Sequence, residues 1–287
     1  MTENKTNAGA SQEAIEFHYD MPPEFFALWL GKSMTYTAAR YAESGMTMDE
    51  AQINKINYHL DSAKVKSGGR VLDIGCGWGT ILKTAVTERG AQSAHGLTLS
   101  PLQHKYINGL GIPNVTAKLQ SYEHYTPDAK FDSIVSVGAF EHFVQPESTK
   151  EERHATYTAL FERCANWLAP GGQFSLQTMA WGDANAAERD LIKIHDIFPE
   201  SDLPEIADVI AAAHPFLEVV SMENRPLDYA QTLKAWADNL KANRDEATAI
   251  VGPDRYKFFL DSCKGGALLY RRRRFYLTRF VFKHRGR

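Results

Sequence analysis

The chain has few cysteines and keeps them far apart. Cys76, Cys164 and Cys263 are the only three, and none shares metal-ligand spacing with another. A disulfide scaffold and a cysteine-held metal are therefore not expected, no metal site is assigned, and a reducing, cytoplasmic setting is the simplest expectation. No apolar run reaches the ~18 residues that a membrane-crossing helix needs. Met1 to Glu13 is polar, lacks the apolar core of a secretory signal, and is expected to be disordered. Internal repeats and low-complexity stretches are absent. Acid is missing from one place in particular. Between Tyr270 and Arg287 there are eight Lys/Arg and no Asp/Glu, although the whole chain carries a net charge of −3. The rest of the chain is correspondingly acidic, which argues against nucleic acid as a partner. The basic end is where an anionic acceptor or a peripheral membrane contact would be met, the bland alternative being a solvated surface run.

What is present is ample for folding. The 287 residues are 44% hydrophobic, enough for one large domain or a core with an insertion. Short apolar segments alternate with amphipathic ones, the pattern of a βαβ sheet. Strands are expected at Arg70–Gly75, Ser93–Leu99, Asn114–Leu119, Phe131–Val137, Gln173–Thr178, Leu217–Met222 and Phe275–Phe282. Helices are expected at Thr80–Arg89 and at Glu151–Leu168, the latter stopped by Pro170-Gly171-Gly172. Helical sequence also fills Ile15 to Ala63, about Trp181 to Ala213, and Tyr229 to Cys263. The expected organisation is a disordered start over residues 1–13, a helical cap over 14–64, and an α/β core over 65–287 with a cap insertion near 181–213.

The first strand runs into Asp73-Ile74-Gly75-Cys76-Gly77-Trp78-Gly79 and then a helix. Gly75 and Gly77 let the backbone turn tightly and come close to a ligand. The helix start at Gly79-Thr80 offers free N–H groups and a positive dipole end, suited to a carboxylate. Asp73 can accept from an ammonium. Together these fit S-adenosylmethionine, the alternative being a purely structural turn. A dinucleotide site wants Gly-x-Gly-x-x-Gly and an acid ending the second strand. Here that strand ends in Gly96-Leu97-Thr98-Leu99-Ser100.

Several segments together are similar to the cyclopropane fatty acid and mycolic acid cyclopropane synthase family. They are His18-Tyr19-Asp20, Phe25-Phe26, Tyr36-Thr37, Val71 to Gly79, Gly96 to Ser100 with Gln103, and Glu141-His142-Phe143. The resemblance implies a Rossmann-like seven-stranded class I methyltransferase sheet with a helical cap over the acceptor. It implies cofactor contacts at Tyr36, Thr37, Asp73, Gly75, Gly77, Thr98, Leu99 and Gln103, with Tyr122-Glu123 near adenine. It also implies a bound bicarbonate in the ring-forming members, and there the match is incomplete. Glu141 and Tyr229 agree, but the family's cysteine falls on Ala38 and its histidine near Gly182. Methyl transfer, alone or with rearrangement, is therefore expected ahead of cyclopropanation.

A sulfonium methyl is electrophilic, and an electron-rich carbon held in line attacks it, so much of the catalysis is positioning. An alkene acceptor becomes a cation, which aromatic faces stabilise and a base must deprotonate. Tyr19, Phe26, Phe140, Trp181 and Trp236, with Tyr36 and Tyr229, are the expected acceptor-lining aromatics, each with ordinary core packing as its alternative. Glu141 is the preferred base, since it follows the fourth strand at the carboxyl edge where such sheets bind ligands. His142 is expected beside it, and Tyr229 completes the catalytic set. The leading expectation is C-methylation of an apolar, lipid-like or prenylated acceptor. The alternatives are a lipid cyclopropane synthase, an amine N-methyltransferase, and a non-catalytic cofactor- or lipid-binding protein. A homo-oligomer is compatible with the sequence.

Overall fold

The computed structural model describes residues 9–192 and 198–285. Seven strands form one sheet: β1 Arg70–Ile74, β2 Ser93–Thr98, β3 Val115–Leu119, β4 Phe131–Val137, β5 Leu168–Trp181, β6 Leu217–Asn224 and β7 Phe275–His284. Their order is β3-β2-β1-β4-β5-β7-β6, with β7 antiparallel to both neighbours and the β1–β5 pairs parallel. This is the expected Rossmann-like class I arrangement. β5 is longer than expected. It runs through Pro170-Gly171-Gly172, and a register shift against β4 between Phe131 and Ser133 absorbs those residues.

Side chains alternate across the strands. Val71, Ala94, Val135 and Val137 meet α3 Met48–Ser62, α4 Thr80–Thr87 and α5 Pro101–Gly109 on one face. Leu72, Ile74, Ile134, Phe174 and Phe280 meet α6 Lys150–Trp167 and α8 Ile206–Ala213 on the other, with the short α7 Ala186–Ile192 lying between β5 and α8 in sequence. Sequence-coded caps set where helices start. Thr47/Glu50 and Thr149/Glu152 form capping boxes at α3 and α6, and Ser100 caps α5 ahead of Pro101.

A helical cap stands over the carboxyl edge of the sheet. It is built from α1 Gln12–Tyr19, α2 Pro23–Leu30, α9 Pro226–Ala242 and α10 Arg244–Arg271. Phe25, Phe26, Trp29, Trp236 and Phe259 form its interior. Three details differ from expectation. α3 packs against β5 and α4 as a sheet-covering helix and is not part of the cap. The stretch Tyr229 to Cys263 is two helices, broken at Asn243, and α10 kinks at Gly252 (φ 80°) ahead of Pro253. Residues 9–13 are not disordered: Ala10 N–H donates to His142 O at 2.7 Å and Ser11 caps α1. Their backbone finds partners on the turn after β4, which composition does not reveal. Residues 193–197 of the expected cap insertion lie outside the described residues, as do 1–8 and 286–287. Among the described residues no helix is long and apolar enough to cross a membrane.

Candidate active site

The glycine loop closes on the second strand. Gly75 and Cys76 N–H both donate to Leu97 O, at 2.9 and 3.0 Å. Gly75, Gly77 and Gly79 have φ of 79°, 52° and 79°, the left-handed region that glycine adopts without strain. A Cβ on Gly77 would meet nothing within 4 Å, because it would point into open space. Gly77 also lines a cavity, together with the other nine residues expected to hold the cofactor: Tyr36, Thr37, Asp73, Gly75, Thr98, Leu99, Gln103, Tyr122 and Glu123. Thr98 Oγ1 donates to Gln103 Oε1 at 2.8 Å, fixing that pair at the end of β2. Tyr122 and Glu123 sit on a short turn capped by Ser121, and the Tyr122 ring packs on Phe143 with centroids 4.5 Å apart.

Asp73 is the buried acid of this cavity. It is 2% exposed, and burial pushes its carboxyl up to about 7 against the opposing pull of the Lys55 charge. Its Oδ1 is buried without a hydrogen-bond partner. An orphaned carboxylate oxygen at the end of β1 fits the ammonium of an amino-acid ligand, and the open ground over Gly77 fits close approach of that ligand's backbone-like end. The cavity thus has the donor and acceptor set that S-adenosylmethionine requires.

A second, smaller cavity adjoins the first. Tyr19, Tyr36, Thr37, Gly138 and His142 line both, while Glu141, Gln177, Met179, Phe198, Tyr229 and Leu277 line only the smaller one. Glu141 lies on the short turn Phe140–His142 after β4. Its Oε1 accepts from Met179 N–H at 2.5 Å, and its Oε2 is buried without a partner. Burial pushes this carboxyl up to about 7. His142 is held on both ring nitrogens, by Ser201 Oγ at 2.6 Å and Tyr19 OH at 3.0 Å. The Ser201 hydroxyl donates to Pro199 O, so it accepts from His142 Nδ1–H, and Nε2 accepts from Tyr19. Burial lowers His142 to about 4, keeping the ring neutral. Burial also raises the Tyr19 and Tyr229 phenols well above the ordinary tyrosine range. The small cavity therefore carries a carboxyl poised near neutrality among neutral aromatic groups.

The other expected acceptor residues are placed elsewhere. Phe140 does not line either cavity. It turns into the core behind β4, stacked on Tyr157 with centroids 4.5 Å apart. Trp181 is also outside both, packed on Phe275 and under Arg189, with Nε1 donating to Asp202. Phe26 and Trp236 are fully buried one layer back, supporting the Tyr36 ring at 5.7 and 5.4 Å. Gly182 donates to Arg274 O, away from the small cavity, and Ala38 is packed in the cap core. The polar side chain that β5 contributes to the lining of the small cavity is Gln177. Sequence reasoning missed it, together with Lys55, Phe198 and the Gly9–Ala10 segment. The basic end is partly neutralised: Arg274 pairs with Glu188 at 2.6 Å and Arg279 is fully buried, while Arg271, Arg272 and Arg273 remain exposed.

Comparison with known proteins identifies the family. The sequence profile of the mycolic acid cyclopropane synthetase family matches residues 6–280. Cyclopropane mycolic acid synthase 2 of Mycobacterium tuberculosis is 32% identical over 277 residues, covering 90% of each chain. The S-adenosylmethionine-dependent methyltransferase UmaA of the same organism is 34% identical over 267 residues, covering 86% of this chain and 89% of its own. The crystal structure of mycolic acid cyclopropane synthase CmaA1 complexed with SAH and CTAB superposes with a TM-score of 0.85 at 28% identity, covering 96% of this chain and 98% of that one. With the cofactor cavity in the same fold and the profile spanning nearly the whole chain, this protein belongs to the mycolic acid cyclopropane synthetase family of S-adenosylmethionine-dependent enzymes.

Proposed function

We propose that the protein transfers a methyl group from S-adenosylmethionine to an alkene or other electron-rich carbon of an apolar, lipid-like or prenylated acceptor. The observation that carries this reading is Glu141: a buried carboxyl with one free oxygen, in a small aromatic cavity that shares a wall with the cofactor cavity. When bound, the cofactor supplies an electrophilic methyl. Tyr36, Thr37 and Gly138, common to both cavities, set where that methyl would face the acceptor. Tyr19, Tyr36 and Tyr229 present aromatic faces that stabilise positive charge by about 0.5–2 kcal/mol each. Glu141 then accepts the proton lost from the methylated cation, and its raised affinity for protons suits that task near neutral pH.

A lipid cyclopropane synthase is the second reading, favoured by the cyclopropane synthases among the relatives. Against it, neither Ala38 nor Gly182 brings a ligand into the small cavity for a bicarbonate. Methylation with proton loss and ring closure both add CH₂, so mass alone does not separate them. The test is incubation with methyl-labelled S-adenosylmethionine and lipid extract, followed by NMR of the labelled product. A new methyl or methylene resonance supports the first reading, and upfield cyclopropyl protons support the second. A protein that binds the cofactor and labels nothing in any lipid or metabolite pool would remove both.

A further inference from the structure

α3 buries a polar stripe. Gln52, Lys55 and His59, at helical spacing, are each 0% exposed, although an amphipathic helix ordinarily turns such residues to water. Gln52 Nε2 donates to Thr35 O and Thr37 O at 3.3 and 2.8 Å, and Lys55 Nζ donates to Thr37 Oγ1 at 2.7 Å. Lys55 also lines the cofactor cavity with Asp73 and Thr37. On the far side of Thr37, its methyl lies against Gly138, where an added Cβ would come within 2.6 Å. The Thr37 side chain is thus clamped between a glycine and a lysine.

The clamp has a chemical consequence. A lysine ammonium only donates, so Thr37 Oγ1 must accept from it, and the threonine's own proton is left to point elsewhere. A ligand whose ammonium meets Asp73 carries its carboxylate on the same carbon, a few ångströms away. We infer that Lys55 is a positioning residue for the anionic end of the cofactor: it fixes the Thr37 hydroxyl as a donor into the cavity and places a positive charge beneath the carboxylate. This rests on the cavity being the S-adenosylmethionine site. Burial and the nearby Arg279 charge hold the Lys55 ammonium well below the ordinary lysine range while Asp73 opposes them. A buried cation is costly even with Asp73 and Thr37 nearby, and an arriving carboxylate offsets part of that cost.

The test compares two ligands that differ in the amino-acid end. S-adenosylhomocysteine carries the amino-acid end, and 5′-deoxy-5′-methylthioadenosine lacks it. By calorimetry, Lys55→Met is expected to weaken S-adenosylhomocysteine by about 10- to 100-fold, the range for a hydrogen bond to a charged group, and to leave methylthioadenosine unchanged. Thr37→Val, which keeps the methyl and the lysine, is expected to show the same selective loss. The double variant should lose little more than either single one, because the two act as a unit. Equal weakening of both ligands would mean a merely structural lysine and would overturn the inference, as would full S-adenosylhomocysteine affinity in Thr37→Val. If Lys55→Met does not fold, Thr37→Val still decides. A wild type that binds neither ligand would overturn the cofactor reading itself.

Discussion

Arg279 Nε donates to Gln177 Oε1 at 2.7 Å, across two neighbouring strands and inside the core. The arginine is fully buried, and its remaining donors go to Glu223, Asp228 and the carbonyl of Ala39. It therefore joins β7, the start of α9 and the loop after Thr37, and it sets the orientation of Gln177, an amide in the lining of the small cavity. Removing one partner of a buried ion pair typically costs about 3–5 kcal/mol. Asp228 keeps Arg225 and Glu223 keeps Arg40, so the low end applies here. Arg279→Met should lower unfolding free energy by about 3 kcal/mol in a denaturant titration. A loss below about 0.5 kcal/mol, the level of an ordinary surface change, would show that the network is not a structural joint.

Glu141 should trade stability for activity. Its folded-state pKa of about 7 lies above the ordinary glutamate value of 4.5. The folded protein therefore binds the proton more tightly than the unfolded chain does. The resulting penalty is absent below the unfolded value, grows as pH rises between the two, and is complete above the folded one. Glu141→Gln keeps the shape and an acceptor for Met179 N–H but removes the ionisation. It should melt higher than wild type near pH 8, by an amount worth up to about 3 kcal/mol, with the difference vanishing near pH 4. Turnover should fall about 10²–10⁴-fold with cofactor binding retained, and added bicarbonate should not stimulate the wild type. Near-normal turnover in the variant would exclude Glu141 as the base.

The sheet and the cofactor loop were legible because their information is local. Asp73 to Gly79 is one continuous turn, and its glycines announce their own backbone geometry. Asp73, Gly75, Gly77, Thr98, Leu99, Tyr122 and Glu123 fall on strand ends or the loops just beyond them, where topology alone brings residues together, while Gln103 lies in the first turn of α5 and Tyr36–Thr37 between α2 and α3. The acceptor wall was less legible because a tight turn sends neighbours in opposite directions. Ala139 and His142 reach the cofactor cavity, Glu141 the small one, and Phe140 the core behind the sheet. Gln177 and Lys55 are recognised only through partners far along the chain, Arg279 and the clamped Thr37. The buried stripe Gln52-Lys55-His59 had a trace in the sequence, since its polar residues interleave with Ala51, Ile56 and Leu60 around one helix, but hydropathy alone assigns such residues to water.

The glycines of the loop should separate by experiment. A side chain on Gly75 meets the Ala139 Cβ at 2.3 Å, so the damage there is to the fold, whereas one on Gly77, which lines the cavity, meets no atom within 4 Å. Both positions have positive φ, which costs any other residue about 1–2 kcal/mol. Gly77→Val should retain a cooperative melt and lose calorimetric binding of S-adenosylhomocysteine, while Gly75→Val should melt lower still. Unchanged affinity in folded Gly77→Val would move the cofactor away from this loop.

The last expectation concerns how cofactor affinity follows pH. Asp73 is held at about 7 by burial, well above the 3.8 of an ordinary aspartate. Below that value the empty site is protonated, and it must release the proton before an ammonium can pair with it. Affinity for S-adenosylhomocysteine should therefore fall roughly tenfold for each pH unit below 7 and level off above it. The ligand α-amine stands beside its own carboxylate and titrates above the 7.7–8.0 of a peptide terminus, so affinity should stay on its plateau through at least about pH 8. Glu141 titrates in the same range, so the measurement belongs in the Glu141→Gln background, which removes that contribution. Asp73→Asn should weaken binding by about 1.5–3 kcal/mol at pH 7.5, the worth of a hydrogen bond to a charged group, and should flatten the profile from about pH 5.5 to about 7. Calorimetry in buffers of different ionisation enthalpy gives an independent reading: wild type should release close to one proton on binding at pH 6 and the Asn variant close to none. An Asn variant that keeps the wild-type slope would mean that another group holds the ammonium, and the unpaired oxygen of Asp73 would then need a different ligand.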